Sequence, residues 1–118
     1  MKGTLVIAHG SRAKETEATM DSILAMVKAE LPDTIIEQAY MEFSEQNVQK
    51  GVAALAERGV TEIKVVPYFL FMGIHLKQDI PEMVEECLAK YPGVSITMGE
   101  NLGADKRLAE ILADRIRD

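Results

Sequence analysis

Cysteine is almost missing from this chain, positive charge is in the minority, and no apolar run is long. Each shortage excludes something. The single cysteine, Cys87, has no partner for an internal disulfide, and no paired Cys/His spacing points to structural zinc. A reducing cytoplasm is the economical expectation for such a chain. Lys and Arg number 13 against 19 Asp and Glu, a net charge of −6. That balance argues against the basic face that non-specific nucleic-acid binding requires. It also means that an anionic ligand is held only where positive charge is gathered locally. No stretch approaches the roughly 20 apolar residues that cross a bilayer. The short apolar stretch in MKGTLVIAHGS reads as a first strand rather than a signal peptide. Low-complexity segments, linkers and local repeats are also absent.

What remains is a chain of 118 residues, 47% apolar and 27% charged, enough for one domain with its own core. Residues 4–8 form a continuous apolar run, the mark of a strand covered on both faces. Met20, Ile23, Leu24, Val27 and Leu31 then stripe a helix that Ser11 is placed to cap and that stops before Pro32. Residues 34–40 read as a second strand. Val48, Val52, Leu55 and Ala56 stripe a second helix, closed by Gly59. Residues 62–66, ended by Pro67, are a third strand. Asp79 and Glu82 have the spacing of a capping box for a third helix, whose buried face is Ile80, Met83, Val84, Cys87 and Leu88. Residues 94–98 make a fourth strand, and Leu108, Ile111, Leu112 and Ile116 stripe a final helix. Every one of these stripes is expected in the core.

Four strands alternating with four helices predict an α/β domain, a four-stranded parallel sheet in the flavodoxin-like order 2-1-3-4 with helices on both faces. In such a sheet ligands bind beyond the carboxyl ends of the strands, at the switch point between strands 1 and 3. The only two histidines fall there: His9 directly after strand 1, His75 in the loop after strand 3. Glu42 lies just past strand 2, so the three residues stand 33 apart at each step and converge on one rim.

Imidazole is the commonest metal ligand and, when neutral, a proton acceptor near pH 7. Two histidines and a carboxylate bind a divalent transition metal with positions left open. The plain alternative for His9 is a strand-end histidine bonded to backbone, and for Glu42 a solvated carboxylate, with Glu45 as its rival. Ser11 and Arg12 have the chemistry to hold an anion where strand 1 meets a helix, or else are a cap and a surface arginine. Phe69, Leu70, Phe71 and Met72 form an apolar segment that either closes the core or lines a ligand cleft, with Gly73 letting the chain turn back to aim His75 inward. HGSR has none of the glycine spacing of a nucleotide fingerprint. A flavodoxin-like signalling or nucleotide module is thereby disfavoured.

Four segments together, LVIAHGSR at 5–12, YMEFSEQNV at 40–48, VVPYFLFMGIHLKQDIP at 65–81 and NLGADKRLAEIL at 101–112, resemble the short form of the class II sirohydrochlorin chelatases. The resemblance runs over nearly the whole chain. It implies insertion of a divalent metal into the tetrapyrrole sirohydrochlorin. His9 and His75 match the family's metal-binding histidines, and Glu42 the acidic residue that assists them. It further implies a homodimer in which one domain supplies half of a two-lobed chelatase, with the tetrapyrrole near the subunit boundary. Ser11, Arg12 and residues 69–73 are then the substrate-binding set. Cobalt is the favoured metal substrate, with iron and nickel as alternatives, since imidazole and carboxylate accept all three. No permanently bound cofactor, nucleic acid or membrane is expected. The competing expectation is a non-catalytic carrier of metal or tetrapyrrole, using the same histidines without a proton acceptor.

Overall fold

The computed structural model describes residues 1–118. The elements follow as β1 (Lys2–Ala8), α1 (Glu15–Glu30), β2 (Ile36–Tyr40), α2 (Val48–Glu57), β3 (Glu62–Pro67), α3 (Ile74–Cys87), β4 (Ser95–Met98) and α4 (Lys106–Arg117). The sheet is parallel throughout, ordered β2-β1-β3-β4, as the alternation of patterns predicted. β1 is central, with Leu5 opposite Val65 and Ala8 opposite Tyr40. Side chains alternate along each strand, so one run of residues serves two different cores.

Leu5, Ile7, Ala39, Ile63 and Val65 face α2 and α3, where Val52, Leu55, Ile80 and Val84 complete a fully buried layer. Gly51 lets α2 sit close: a Cβ there would lie 2.6 Å from Leu5 Cδ1. Val6, Ala8, Ile36 and Tyr40 face the other way, onto Met20 and Leu24 of α1. No helix of this fold is long and apolar enough to cross a membrane.

Local departures from the sequence reading have local causes. Ser11 does not cap α1; its Oγ accepts a hydrogen bond from the Ala13 N–H at 3.0 Å, a tight turn that delays the helix to Glu15. Leu31 lies beyond the end of α1 and is exposed. Asn47 does cap α2, accepting from the Lys50 N–H at 2.9 Å, and Gly59 ends it in the left-handed region at φ 89°.

The larger correction concerns α3. Asp79 is not its cap, because the helix begins a turn and a half earlier, at Ile74, with Gly73 as N-cap. Pro81 therefore lies inside the helix, where its missing N–H and its ring cost about 3 kcal/mol. The apolar stripe explains why the helix forms anyway. It reaches back to Leu76, which packs on the same layer as Ile80, Met83, Val84 and Cys87. Leu76, half-buried on that layer, and the backbone bonds of the added turn, such as that of the Lys77 N–H to the Gly73 carbonyl, offset part of the proline's cost. Burial also raises the Cys87 thiol pKa, with Glu86 adding to the effect, as suits a packing residue rather than a nucleophile.

Of the four helical stripes, that of α4 is the exception. Leu108 is half-buried, but Leu112 and Ile116 are 61% and 75% exposed, and no residue of α4 joins either core layer. The helix is well founded as a local element: Asp105 caps it, accepting from the Arg107 N–H at 2.9 Å. The Arg107 guanidinium 2.8 Å away keeps the Asp105 carboxyl far below the usual carboxylate range. What it lacks is something to lie against. On the α1 side of the sheet, the half formed by β3 and β4 offers mainly Glu62, Lys64, Ser95 and Thr97, all exposed. The chain is accordingly elongated, with extents of 50 × 33 × 26 Å.

Candidate functional site

The backbone pairing of the sheet continues past the strand ends, and this builds the site. The Met41 N–H donates to the Ala8 carbonyl and the Glu42 N–H to the His9 carbonyl, each at 3.0 Å. The loop after β1 is thereby zipped to the loop after β2. Gly10 makes the approach possible: at φ 100°, a Cβ there would lie 2.0 Å from the Glu42 carbonyl oxygen. The second loop is closed on itself. The Tyr40 N–H donates to the Gln46 carbonyl at 2.9 Å, the Gln46 amide donates to the Gln38 carbonyl at 3.0 Å, and Ser44 Oγ accepts from the Gln46 N–H.

These restraints place His9 Nε2 2.9 Å from Glu42 Oε1. The two side chains are 62% and 47% exposed, so a solute reaches both. Two donors about 2.1 Å from one ion and at right angles stand roughly 3.0 Å apart. The pair's 2.9 Å is the spacing of a hydrogen-bonded ion pair, in which the carboxylate orients the imidazole, and it is also close to that of adjacent ligands on a divalent metal. Glu45 makes no such contact, which separates it from Glu42. His9 also opens onto a groove of about 440 Å³ with Glu15, Thr16, Thr19 and Tyr68 in its wall.

Sequence reasoning brought three residues to this rim, and the structure joins two of them. His75 lies not in a loop but on the first turn of α3, exposed, following the same end of β3. No three His, Cys, Asp or Glu side chains cluster at metal-binding distance, so His75 is not a third member of the His9–Glu42 pair in this conformation. Gly73 does not turn the chain back: its φ of −73° is open to any residue, and a Cβ would meet nothing within 4 Å.

The apolar segment 69–72 divides between the two roles it was given. Phe69 and Met72 pack half-buried on the α2–α3 layer, while Leu70 and Phe71 point outward, Phe71 at 83% exposure. The segment is held from across the sheet edge, since the Asn101 amide donates to the Phe69 and Leu70 carbonyls and the Leu102 N–H to Phe69. Ser11 is spent on its own turn. Arg12 lies over the ring of Phe43, 4.9 Å from its centroid. Neither Phe43 nor Asn101 was picked out from the sequence. The visible signal for Phe43 was a lone aromatic in the polar stretch MEFSEQN, outside any apolar stripe.

Comparison with known proteins adds to this geometry. A sirohydrochlorin cobaltochelatase from Sulfurisphaera tokodaii is 33% identical over the whole of this chain and 93% of its own length. A sirohydrochlorin ferrochelatase from Priestia megaterium is 34% identical, also over the whole chain, but only 44% of that protein is covered. The solved CbiX protein from Marinobacter aquaeolei superposes with a TM-score of 0.78 at 32% identity, covering 99% of this chain and 95% of that one. The sirohydrochlorin chelatase SirB from Bacillus subtilis, solved with cobalt, superposes at 0.88 with 30% identity, over 99% of this chain and 50% of SirB. The chain thus spans about half of the longer relatives and nearly all of the shorter ones. The family described as CbiX matches residues 3–118, and the chain belongs to it.

Proposed function

We propose that this protein inserts a divalent metal into sirohydrochlorin, with Co2+ as its principal metal. The observation that carries the reading is the His9–Glu42 pair, 2.9 Å apart on an open rim at the switch point of a CbiX-family sheet. The short relatives that the chain covers almost end to end are named cobaltochelatases, which supports cobalt over iron or nickel.

Insertion has two requirements: the ion sheds water, and two pyrrole N–H protons leave the macrocycle. His9 and Glu42 hold the ion as it loses its water. As the metal passes to the ring nitrogens, the freed carboxylate and imidazole accept protons. His75, on its own helix turn, provides a second imidazole for the metal or the second proton. The exposed side chains of Leu70 and Phe71 give the macrocycle an apolar surface, and Arg12 answers its acidic groups. Neither a nucleophile nor a nucleotide is required. The metal is a substrate and no resident cofactor is invoked.

The same reading makes the active species a homodimer in the cytoplasm. What supports the dimer is the uncovered apolar stripe of α4. Leu108, Leu112 and Ile116 are spaced evenly about Leu112. Two antiparallel copies of α4 related by a two-fold axis through Leu112 keep apolar against apolar. Leu70 and Phe71 border the same apolar groove as Leu108 and Leu112, so a second copy seated there also borders the site.

An anaerobic absorbance time course with sirohydrochlorin in excess tests the enzyme. Multiple turnovers with Co2+, reduced at least 100-fold in His9→Ala and strongly slowed in His75→Ala, are expected. A rate equal to the enzyme-free control with Co2+, Fe2+ and Ni2+ would leave only a carrier.

A further inference from the structure

The loop that presents Glu42 also holds the chain's only non-glycine residue with a positive φ, Phe43 at 61°. Left-handed backbone is uncommon for any side chain and rarer for a bulky one. Phe43 is half exposed, so only part of its ring is buried to set against that strain. One contact does engage the ring: the Arg12 guanidinium over one of its faces, 4.9 Å from the centroid. Arg12 follows His9 by three residues and Phe43 follows Glu42 by one, so the two flank the histidine–carboxylate pair from its two loops. Arg12 takes no acidic partner in a chain with 19 acidic residues; the ion pairs present are formed by His9, Arg58, Arg107 and Arg117.

From this we infer that Phe43 and Arg12 form one substrate-binding element, a ring-and-guanidinium clasp for a flat conjugated ligand that bears carboxylates. The Phe43 face turned away from Arg12 lies against the macrocycle. The guanidinium, stacked on the other face and only weakly hydrated, keeps its fork of N–H donors for a carboxylate at the ligand's edge. Backbone strain at a half-exposed aromatic is kept because the ring's position serves binding rather than folding. The inference rests on the chelatase reading and assigns to it a residue, Phe43, that the sequence reading did not contain.

The test is an anaerobic titration of metal-free sirohydrochlorin into wild type, Phe43→Gly, Phe43→Leu and Arg12→Gln, followed by absorbance. Each protein is also melted and titrated with Co2+ alone. Glycine accepts φ 61° without strain, so Phe43→Gly is expected to melt at or above the wild-type temperature while its tetrapyrrole Kd rises about tenfold. Its Co2+ affinity is expected to stay within about twofold of wild type, since His9 and Glu42 remain. Phe43→Leu keeps the strained backbone without the aromatic face and is expected to fall between. Arg12→Gln should raise the Kd and flatten its dependence on salt. Wild-type tetrapyrrole affinity in Phe43→Gly would overturn the inference. So would an equal loss of Co2+ binding, which would make Phe43 only a support for Glu42. Failure of wild type itself to bind the tetrapyrrole would remove the chelatase reading and the clasp with it, an outcome visible before any variant is compared.

Discussion

The two faces of the sheet differ in how far they are finished. Toward α2 and α3, strand and helix side chains close into a continuous layer, with Leu5, Ile7, Val52, Leu55, Val65, Ile80 and Val84 all fully buried. Toward α1 there is a smaller core over β1 and β2 only, and the half over β3 and β4 is polar and open. The first face shows where the fold draws its stability. The second shows surface left over once the fold is made, and it is bordered by the one helix with an unpartnered apolar stripe. The homodimer proposed above would give α4 the neighbour that it lacks within one chain.

The contrast can be broken from either side. The largest effect is expected on the finished face: Ile80→Ala leaves a cavity in a layer with no room to collapse and should cost about 2–5 kcal/mol, read from the urea midpoint. A loss below about 1 kcal/mol would mean that this layer is looser than its burial implies.

Next comes the small core under α1, anchored by Tyr40, which is 1% exposed. Its hydroxyl donates to Gln38 Oε1 at 2.7 Å, and the Gln38 amide donates to Asp21 on α1 at 2.6 Å. Burial first, then the charges of Glu17 and Asp21, push the Tyr40 pKa up to about 12 from 10.0. The folded state therefore holds the phenol proton more tightly than the unfolded chain does. The stability from this group is fully present below pH 10 and is lost as pH rises through 12. The loss is on the order of 3 kcal/mol at most, since one unit of pKa corresponds to about 1.4 kcal/mol. Stability curves from pH 9 to 12 should fall more steeply for wild type than for Tyr40→Phe. Parallel curves would place the titration elsewhere.

The smallest effect on the protomer is expected at α4. Leu112→Glu should change the folding stability of a dilute monomer by no more than about 0.5 kcal/mol, as for other exposed positions. Light scattering across a concentration series should nevertheless show self-association weakened tenfold or more. An unchanged dimer would move the seam away from this helix.

Much of this was legible in the chain because the signals are local. The apolar run of β1, the stripes of α2 and α3, and the alternation of strands with helices were enough for the 2-1-3-4 sheet. That order in turn directed His9 and Glu42 to one rim. The capping-box reading of Asp79 failed because a short polar signal was outweighed by packing of Leu76, a contact with no local trace. Phe43 escaped notice for a similar reason: a backbone angle is set by the loop that Gln46 closes and by the approach of Gly10, not by the residue itself.

The chain by itself determined which segments become strands and helices and which face of each is apolar, since periodicity belongs to one element at a time. Only the tertiary structure decided that the stripe of α4 is left uncovered, that His9 meets Glu42 rather than Glu45, and that Phe71 faces solvent while Phe69 is packed. Burial and contact depend on what stands opposite, and in this protein what stands opposite comes from residues tens of positions away.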